Sequence, residues 1–202
     1  YVNVLEKYKD STYSLDFNTF STNIFINGNK YEYSLFGDYQ YKNFLCAYEV
    51  VKYLGIDENI IKKAIKKVIW QCRFEVYSKN PLVIFDGAHN LAGVEELIKI
   101  VKQHFLKDEV TILVSILKDK DRVSMFKKLN EISSNIILTS IPDNPRASTA
   151  KELYDYVENK KDFEYEEDPI KAYNIALSKN RKLTICCGSF YILIKLKEGL
   201  NG

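Results

Sequence analysis

Beyond residue 80 the sequence repeats one pattern: a short apolar run, a polar loop, then apolar residues at helical spacing. The runs are residues 82–85, 110–117, 136–141, 163–165 and 183–187. Between them Val94, Leu97, Ile98, Val101 and Phe105 mark one helix, and Val123, Phe126, Leu129 and Ile132 the next. Thr149 with Glu152 forms a capping box for a third helix, and Asp168-Pro169 opens a fourth that runs to about Ser178. Gly188-Ser189 opens a last apolar helix. Strands joined through helices return to the same end of a sheet, so they lie parallel. The expected class is therefore α/β, a mostly parallel sheet with helices on both faces.

In that architecture ligands collect outside the carboxyl ends of the strands. The polar residues fall there: 86–90, 118–121, 143–146 and 188–189. Ordinary loop polarity explains 118–121. It explains 86–90 less well, because Asp86, Gly87, His89 and Asn90 crowd one short turn and His89 is one of only two histidines.

The first 70 residues read differently. The opening 35 are β-rich, and residues 23–26 and 30–35 flank Asn27-Gly28, a pair that favours a hairpin turn. Phe44, Tyr48 and Val51 then recur at helical spacing up to a stop at Gly55. Asp57 caps a second helix with the stripe Ile60, Ile61, Ala64, Ile65 and Val68. The pattern ends at residues 70–73, which places a domain boundary there, with domains at 1–70 and 71–202.

The 29 basic and 27 acidic residues leave a net charge of +2, which removes a bulk pull toward nucleic acid or acidic membranes. The apolar runs are too short to span a bilayer. The four cysteines lack CxxC spacing, so the expectation is reduced thiols in a reducing, cytoplasmic compartment, with no metal site. The chain starts at Tyr1 and is expected to be a fragment or a processed piece.

Five segments resemble, in order, those of folylpolyglutamate and dihydrofolate synthases, members of the ATP-dependent Mur ligase superfamily. Gly37-Asp38-Tyr39-Gln40 with Asn43 resembles G-x-H-Q-x-x-N at a helix start. Trp70-Gln71-Cys72-Arg73-Phe74-Glu75 resembles W-P-G-R-x-E, with Gln71-Cys72 in place of Pro-Gly in the interdomain hinge. Asp86-Gly87-Ala88-His89-Asn90 is similar to the DGAHN segment, the most specific of the five. Residues 117–121 resemble L-x-D-K-D, and Gly188-Ser189-Phe190-Tyr191 the closing G-S-x-Y. Tyr39 and Leu91 depart from the family's His and Pro.

The resemblance implies a Rossmann-like C-terminal domain after the end of a central α/β ATPase domain. It implies an amide ligase that phosphorylates a carboxylate with ATP and passes the acyl group to glutamate. ATP and Mg2+ are the implied cofactors; folate or dihydropteroate and L-glutamate are the implied substrates, acting on a monomer. The phosphate loop G-x-x-x-x-G-K-[ST] occurs nowhere in the sequence, and in the family it lies upstream, as do the magnesium ligands. The fragment alone is therefore expected to be inactive. By the same resemblance Asn43 contacts adenine, Arg73 the nucleotide phosphates, and Asp86 the ribose. His89 orients the incoming glutamate or its amine as the catalytic residue, and Ser189 joins it in binding glutamate. The residues alone leave alternatives: Asn43 as a capping or first-turn amide, Arg73 paired with Glu75, Asp86 or Ser189 as N-caps, and a structural His89. Lys120 and Arg146 offer positive charge for a polyanion. Two competing functions remain: a muramyl peptide ligase, suggested by Asp143-Asn144-Pro145-Arg146, and a nucleotide-binding module without catalysis.

Overall fold

A computed structural model describes residues 1–201. They form two compact units, one of residues 1–73 and one beginning at Phe74.

In the first unit a short helix α1 (Val4–Lys7) precedes strands β1 (Thr12–Asp16), β2 (Ser21–Ile26) and β3 (Asn29–Tyr33), an antiparallel sheet in that order. Ile26 pairs with Asn29 around Asn27 and Gly28, whose φ of +49° and +76° give the hairpin turn its required hand. The expected hairpin is thus present and gains a third strand. Helices α2 (Asp38–Tyr53) and α3 (Glu58–Ile65) follow, with the Asp57 side chain capping α3 through the Asn59 N–H at 2.9 Å. The core joins Ile24, Ile26 and Tyr31 of the sheet to Phe44, Leu45 and Tyr48 of α2 and Ile61 of α3.

The second unit is a six-stranded mixed sheet. Its strands are β4 (Glu75–Lys79), β5 (Leu82–Phe85), β6 (Val110–Val114), β7 (Ile136–Thr139), β8 (Phe163–Glu166) and β9 (Leu183–Cys187). Their spatial order is β4-β5-β9-β6-β7-β8, parallel except for β4, which pairs antiparallel with β5. The five expected strands are all present, two of them shorter at their carboxyl ends than the apolar runs suggest. Edge strand β4 lies where the alternation had not yet begun. A bulge between Val76 and Ser78 breaks its period of two, and it is only half buried, with Tyr77 stacked on Phe85 at 4.4 Å.

The helices are α4 (Leu91–Val101), α5 (Arg122–Leu129), α6 (Ala150–Asp155), α7 (Pro169–Ser178) and α8 (Phe190–Asn201). The connections β5–β6, β6–β7 and β7–β8 all step the same way across the sheet, and β8–β9 steps back. Right-handed crossovers then put α4, α5 and α6 on one face and α7 on the other, where α8 packs against it. Strands β6, β7 and β9 are buried along their whole length, as two covered faces require.

Candidate active site

Strand β9 enters last in sequence and sits between β5 and β6. Its exit leads to α8 on one face, while its neighbours exit to α4 and α5 on the other. The loops therefore diverge on either side of β9, and a crevice opens at the carboxyl ends of β5, β9 and β6.

Three loops meet there. The Asp86 N–H donates to the Cys186 carbonyl at 3.0 Å, and the Gly188 N–H donates to the Ala88 carbonyl at 2.9 Å. On the other flank the Ser115 N–H donates to the Cys187 carbonyl at 3.3 Å. Gly188 is required for this approach. Its φ is +98°, and a Cβ would lie 2.5 Å from the Ser115 carbonyl oxygen and 2.7 Å from Val114 Cγ2.

Asp86 is buried, and its two oxygens accept from the Phe74 and Ala88 N–H groups at 2.8 Å each. It is not the cap of the following helix. Asn90 caps α4, its side chain accepting from the Gly93 N–H at 2.8 Å, because the chain needs four more residues after Asp86 to turn into the helix. Half-buried His89 holds its ring by Nδ1 against the Gly87 carbonyl at 2.8 Å, with the Phe190 ring 5.6 Å away centroid to centroid. Ser189 is buried at the start of α8 and its Oγ accepts from the Tyr191 N–H at 3.2 Å, so it does hold the helix N-terminus. The structure thus brings Asp86, His89 and Ser189 to one end of one sheet.

Asn43 and Arg73 belong to the first unit. Asn43 lies in the second turn of α2, because the helix already begins at Asp38, so it is neither a cap nor a first-turn amide. Its side chain is exposed and its Nδ2 donates to Gln40 Oε1 at 3.2 Å. Arg73 is half exposed and closes the unit. Just before it Cys72 has φ +59°, the left-handed conformation that favours glycine, at the position where the similar motif carries glycine. Lys197 Nζ donates to both carboxylate oxygens of Glu75, at 2.8 Å each.

Sequence reading missed the clasp between the loops after β6 and β7. Arg146 binds Asp119 through Nη2, at 2.9 Å and 2.8 Å to the two carboxylate oxygens. The Lys118 N–H donates to the Arg146 carbonyl at 2.9 Å. Arg146, with Lys120 3.1 Å away on the other side, pulls the Asp119 carboxyl down to about 2. Opposite charges on neighbouring strand-end loops are the signal that could have found it. Lys120 and Arg146 therefore both serve Asp119. Asp121 caps α5 through the Ser124 N–H at 3.1 Å.

Among the described residues the four cysteines form no disulfide; burial pushes the thiols of Cys186 and Cys187 up, which keeps them protonated and inert. Among the described residues no three His, Cys, Asp or Glu side chains cluster to hold a metal ion, and no helix is long and apolar enough to cross a membrane.

Residues 72–190 match the family model described as Mur ligase, glutamate ligase domain. A dihydrofolate synthase/folylpolyglutamate synthase of Bacillus subtilis is 33% identical over 176 residues, covering 83% of this chain and 40% of the relative. Folylpolyglutamate synthase of Thermotoga maritima superposes with a TM-score of 0.77 at 26% identity, over 95% of this chain and 46% of that one. Escherichia coli FolC, solved in complex with DHPP and ADP, has a TM-score of 0.76 at 22% identity, again over 95% of this chain and 46% of its own. The chain thus spans less than half the length of these relatives.

Proposed function

Since the chain belongs to the Mur ligase family, we propose that it is the C-terminal portion of an ATP-dependent, ADP-forming ligase that adds L-glutamate to folate or dihydropteroate. In the proposed reaction the acceptor carboxylate takes the γ-phosphoryl group of ATP and ADP leaves. The glutamate amine then attacks the acyl carbon, phosphate departs, and the amine gives up a proton. ATP supplies the activation; this chain's residues bind, orient and hold.

One observation carries the reading: Asp86, His89 and Ser189, three residues of the motifs that resemble the folate ligases, converge at the switch point beside β9. His89, fixed through Nδ1, would present Nε2 to the glutamate amine and steady the proton it loses. Ser189 would receive a glutamate carboxylate at the N-terminus of α8, where backbone N–H groups favour an anion. Asp86 has both oxygens engaged by backbone N–H groups, so its part on the ribose side is to fix the shape of the turn. Arg73 has the planar, permanent charge suited to nucleotide phosphates, and Asn43 an exposed amide suited to adenine. Magnesium ligands would come from the part of the ligase outside this chain. Residues 1–73 are then the end of the central ATP-binding domain, and four cysteines without a disulfide suit a cytoplasmic protein.

The test is a partition of kinetic effects in the intact ligase. Ser189→Ala removes neutral hydrogen bonds worth about 0.5–1.5 kcal/mol each and should raise KM for glutamate. Arg73→Ala removes a charge-assisted contact worth roughly 1.5–3 kcal/mol and should impair ATP use. The reverse pattern refutes the roles. The 202-residue chain alone should not turn over ATP, and turnover above a no-enzyme control refutes that expectation.

A further inference from the structure

The clasp accounts for part of the charged loop after β6. Asp119 and Lys120 belong to it with Arg146, and Asp121 caps α5. Lys118 and Arg122 are left over, and both line a cleft of about 410 Å3 between the start of α5 and helix α6. Ser148, Glu152, Asp155 and Tyr156 complete its walls. The cleft lies in the second unit, beyond the carboxyl ends of β6 and β7, and shares the loop after β6 with the crevice beside β9.

Neutral groups hold Arg122 in place. Its Nη1 donates to the buried Ser148 hydroxyl at 2.8 Å, and its Nη2 to the Tyr156 hydroxyl at 3.2 Å and the Lys118 carbonyl at 3.4 Å. The guanidinium also lies over the Tyr156 ring, 4.0 Å from its centroid. These contacts fix the plane of the fork without neutralising its charge. Among the described residues neither Arg122 nor the Lys118 ammonium has a carboxylate within ion-pair distance, and the Asp155 carboxylate has no cation within it. Glu152 is already engaged, because its Oε2 accepts from the Thr149 N–H at 3.0 Å in the capping box of α6. That N–H first, then the Ser148 hydroxyl and the charges of Lys118 and Arg122, hold the Glu152 carboxyl below its ordinary value, so both cations act across the cleft.

The free groups are therefore two cations on the side of α5 and one carboxylate on α6. Cations without counter-ions favour anionic groups, and a fork locked flat on a ring suits a planar carboxylate. A ligand with carboxylates alone would meet repulsion from Asp155 and Glu152. A ligand with two carboxylates and one ammonium matches the sign of all three free groups, and the cleft has the volume of a small-molecule site. We propose that this cleft binds an acidic α-amino acid, its two carboxylates on Lys118 and Arg122 and its ammonium on Asp155. It is a second position, apart from the glutamate position beside Ser189, and it does not rest on the ligase reading.

The test is NMR on the full 202-residue chain, titrated with L-glutamate and followed at the Arg122 Nε–H and the Tyr156 ring. The expected result is a saturable shift of both signals. Glutarate, which has the two carboxylates and lacks the ammonium, should bind at least about tenfold more weakly, and so should inorganic phosphate. Lys118→Ala and Asp155→Asn, both at exposed positions, should each weaken glutamate binding at least about tenfold and leave the melting of the chain unchanged. The absence of a saturable shift, glutarate or phosphate binding as tightly as glutamate, or variants that bind like wild type overturn the proposal. The His89 ring, followed in the same titration, reports the crevice separately. Movement at His89 without movement at Arg122 overturns the cleft and leaves the reading of the crevice standing; movement at Arg122 and Tyr156 alone supports the cleft whether or not the ligase reading holds.

Discussion

Adding one methyl group at Gly188 tests the construction of the site. Two costs can be read from the geometry. The residue has φ +98°, and a side chain held in so sparsely populated a region costs about 1–3 kcal/mol. The new Cβ would also stand 2.5 Å from the Ser115 carbonyl oxygen and 2.7 Å from Val114 Cγ2, so strands β6 and β9 must part, an overpacking cost of about 1–3 kcal/mol. Gly188→Ala should therefore destabilise the second unit by about 2–6 kcal/mol, a large share of the 5–15 kcal/mol that holds a typical domain together. Gly93→Ala is the control in the same unit. Its Cβ would meet Ala88 Cα and Asn90 Oδ1 at 3.3 Å, a tight contact that offsets the roughly 0.5–1 kcal/mol a helix gains from alanine over glycine. That variant should stay within about 1 kcal/mol of the parent. The assay is amide hydrogen exchange of β6 and β9, which reports the opening free energy of this unit without requiring the whole chain to unfold in one step. An opening free energy for Gly188→Ala within about 1 kcal/mol of Gly93→Ala would refute the close approach of the two strands.

The remaining predictions concern charge and backbone. Asp119 is pulled down to about 2 by Arg146 and then Lys120, so NMR titration of Arg146→Ala should move its midpoint up toward the ordinary value near 3.8. Because the folded value lies below the unfolded one, the contribution of Asp119 to stability is present above about pH 4 and fades as pH falls toward 2. An unchanged midpoint in Arg146→Ala would refute the clasp. Asp86→Asn leaves one of two buried N–H groups facing an amide NH2, a loss of about 1–3 kcal/mol by urea titration; a neutral variant would contradict the pairing with Phe74 and Ala88. At Cys72, with φ +59°, glycine should be better tolerated than alanine by about 1 kcal/mol, the reverse of the usual order, and thermal melts of the two variants decide it.

The parallel sheet was legible because its strands are buried on both faces and read as unbroken apolar runs such as residues 110–114 and 183–187. Strand β4 was not, because an edge strand with a bulge carries neither an apolar run nor a clean alternation. Among the candidate residues, the meeting of Asp86, His89 and Ser189 at one end of the sheet was legible because strand ends are where an α/β sheet gathers its loops. Their hydrogen bonds were not: an aspartate before a helix reads as a cap, and only the path of residues 87–90 shows that Asn90 takes that place. The Asp119–Arg146 clasp joins residues 27 apart, so its opposite charges become a signal only once the two strands are known to be neighbours.

The order of the strands links folding to function in one step. Strand β9 is the last strand to be made, yet it fills the gap between β5 and β6, with Val83 opposite Thr184 and Thr111 opposite that same Thr184. Until it inserts, those two strands have no common neighbour, and the contacts that close the gap join residues 101 apart on one side and 73 apart on the other, the kind of long-range pairing that forms slowly. The same insertion delivers Gly188 to the Ala88 carbonyl and seats Ser189 beside the turn that holds Asp86 and His89. The sheet therefore cannot be completed without completing the crevice, and a residue at the tip of β9 feels both demands. That is why Gly188, which touches no proposed substrate, is the position where a single methyl group should disturb stability and the proposed glutamate binding together.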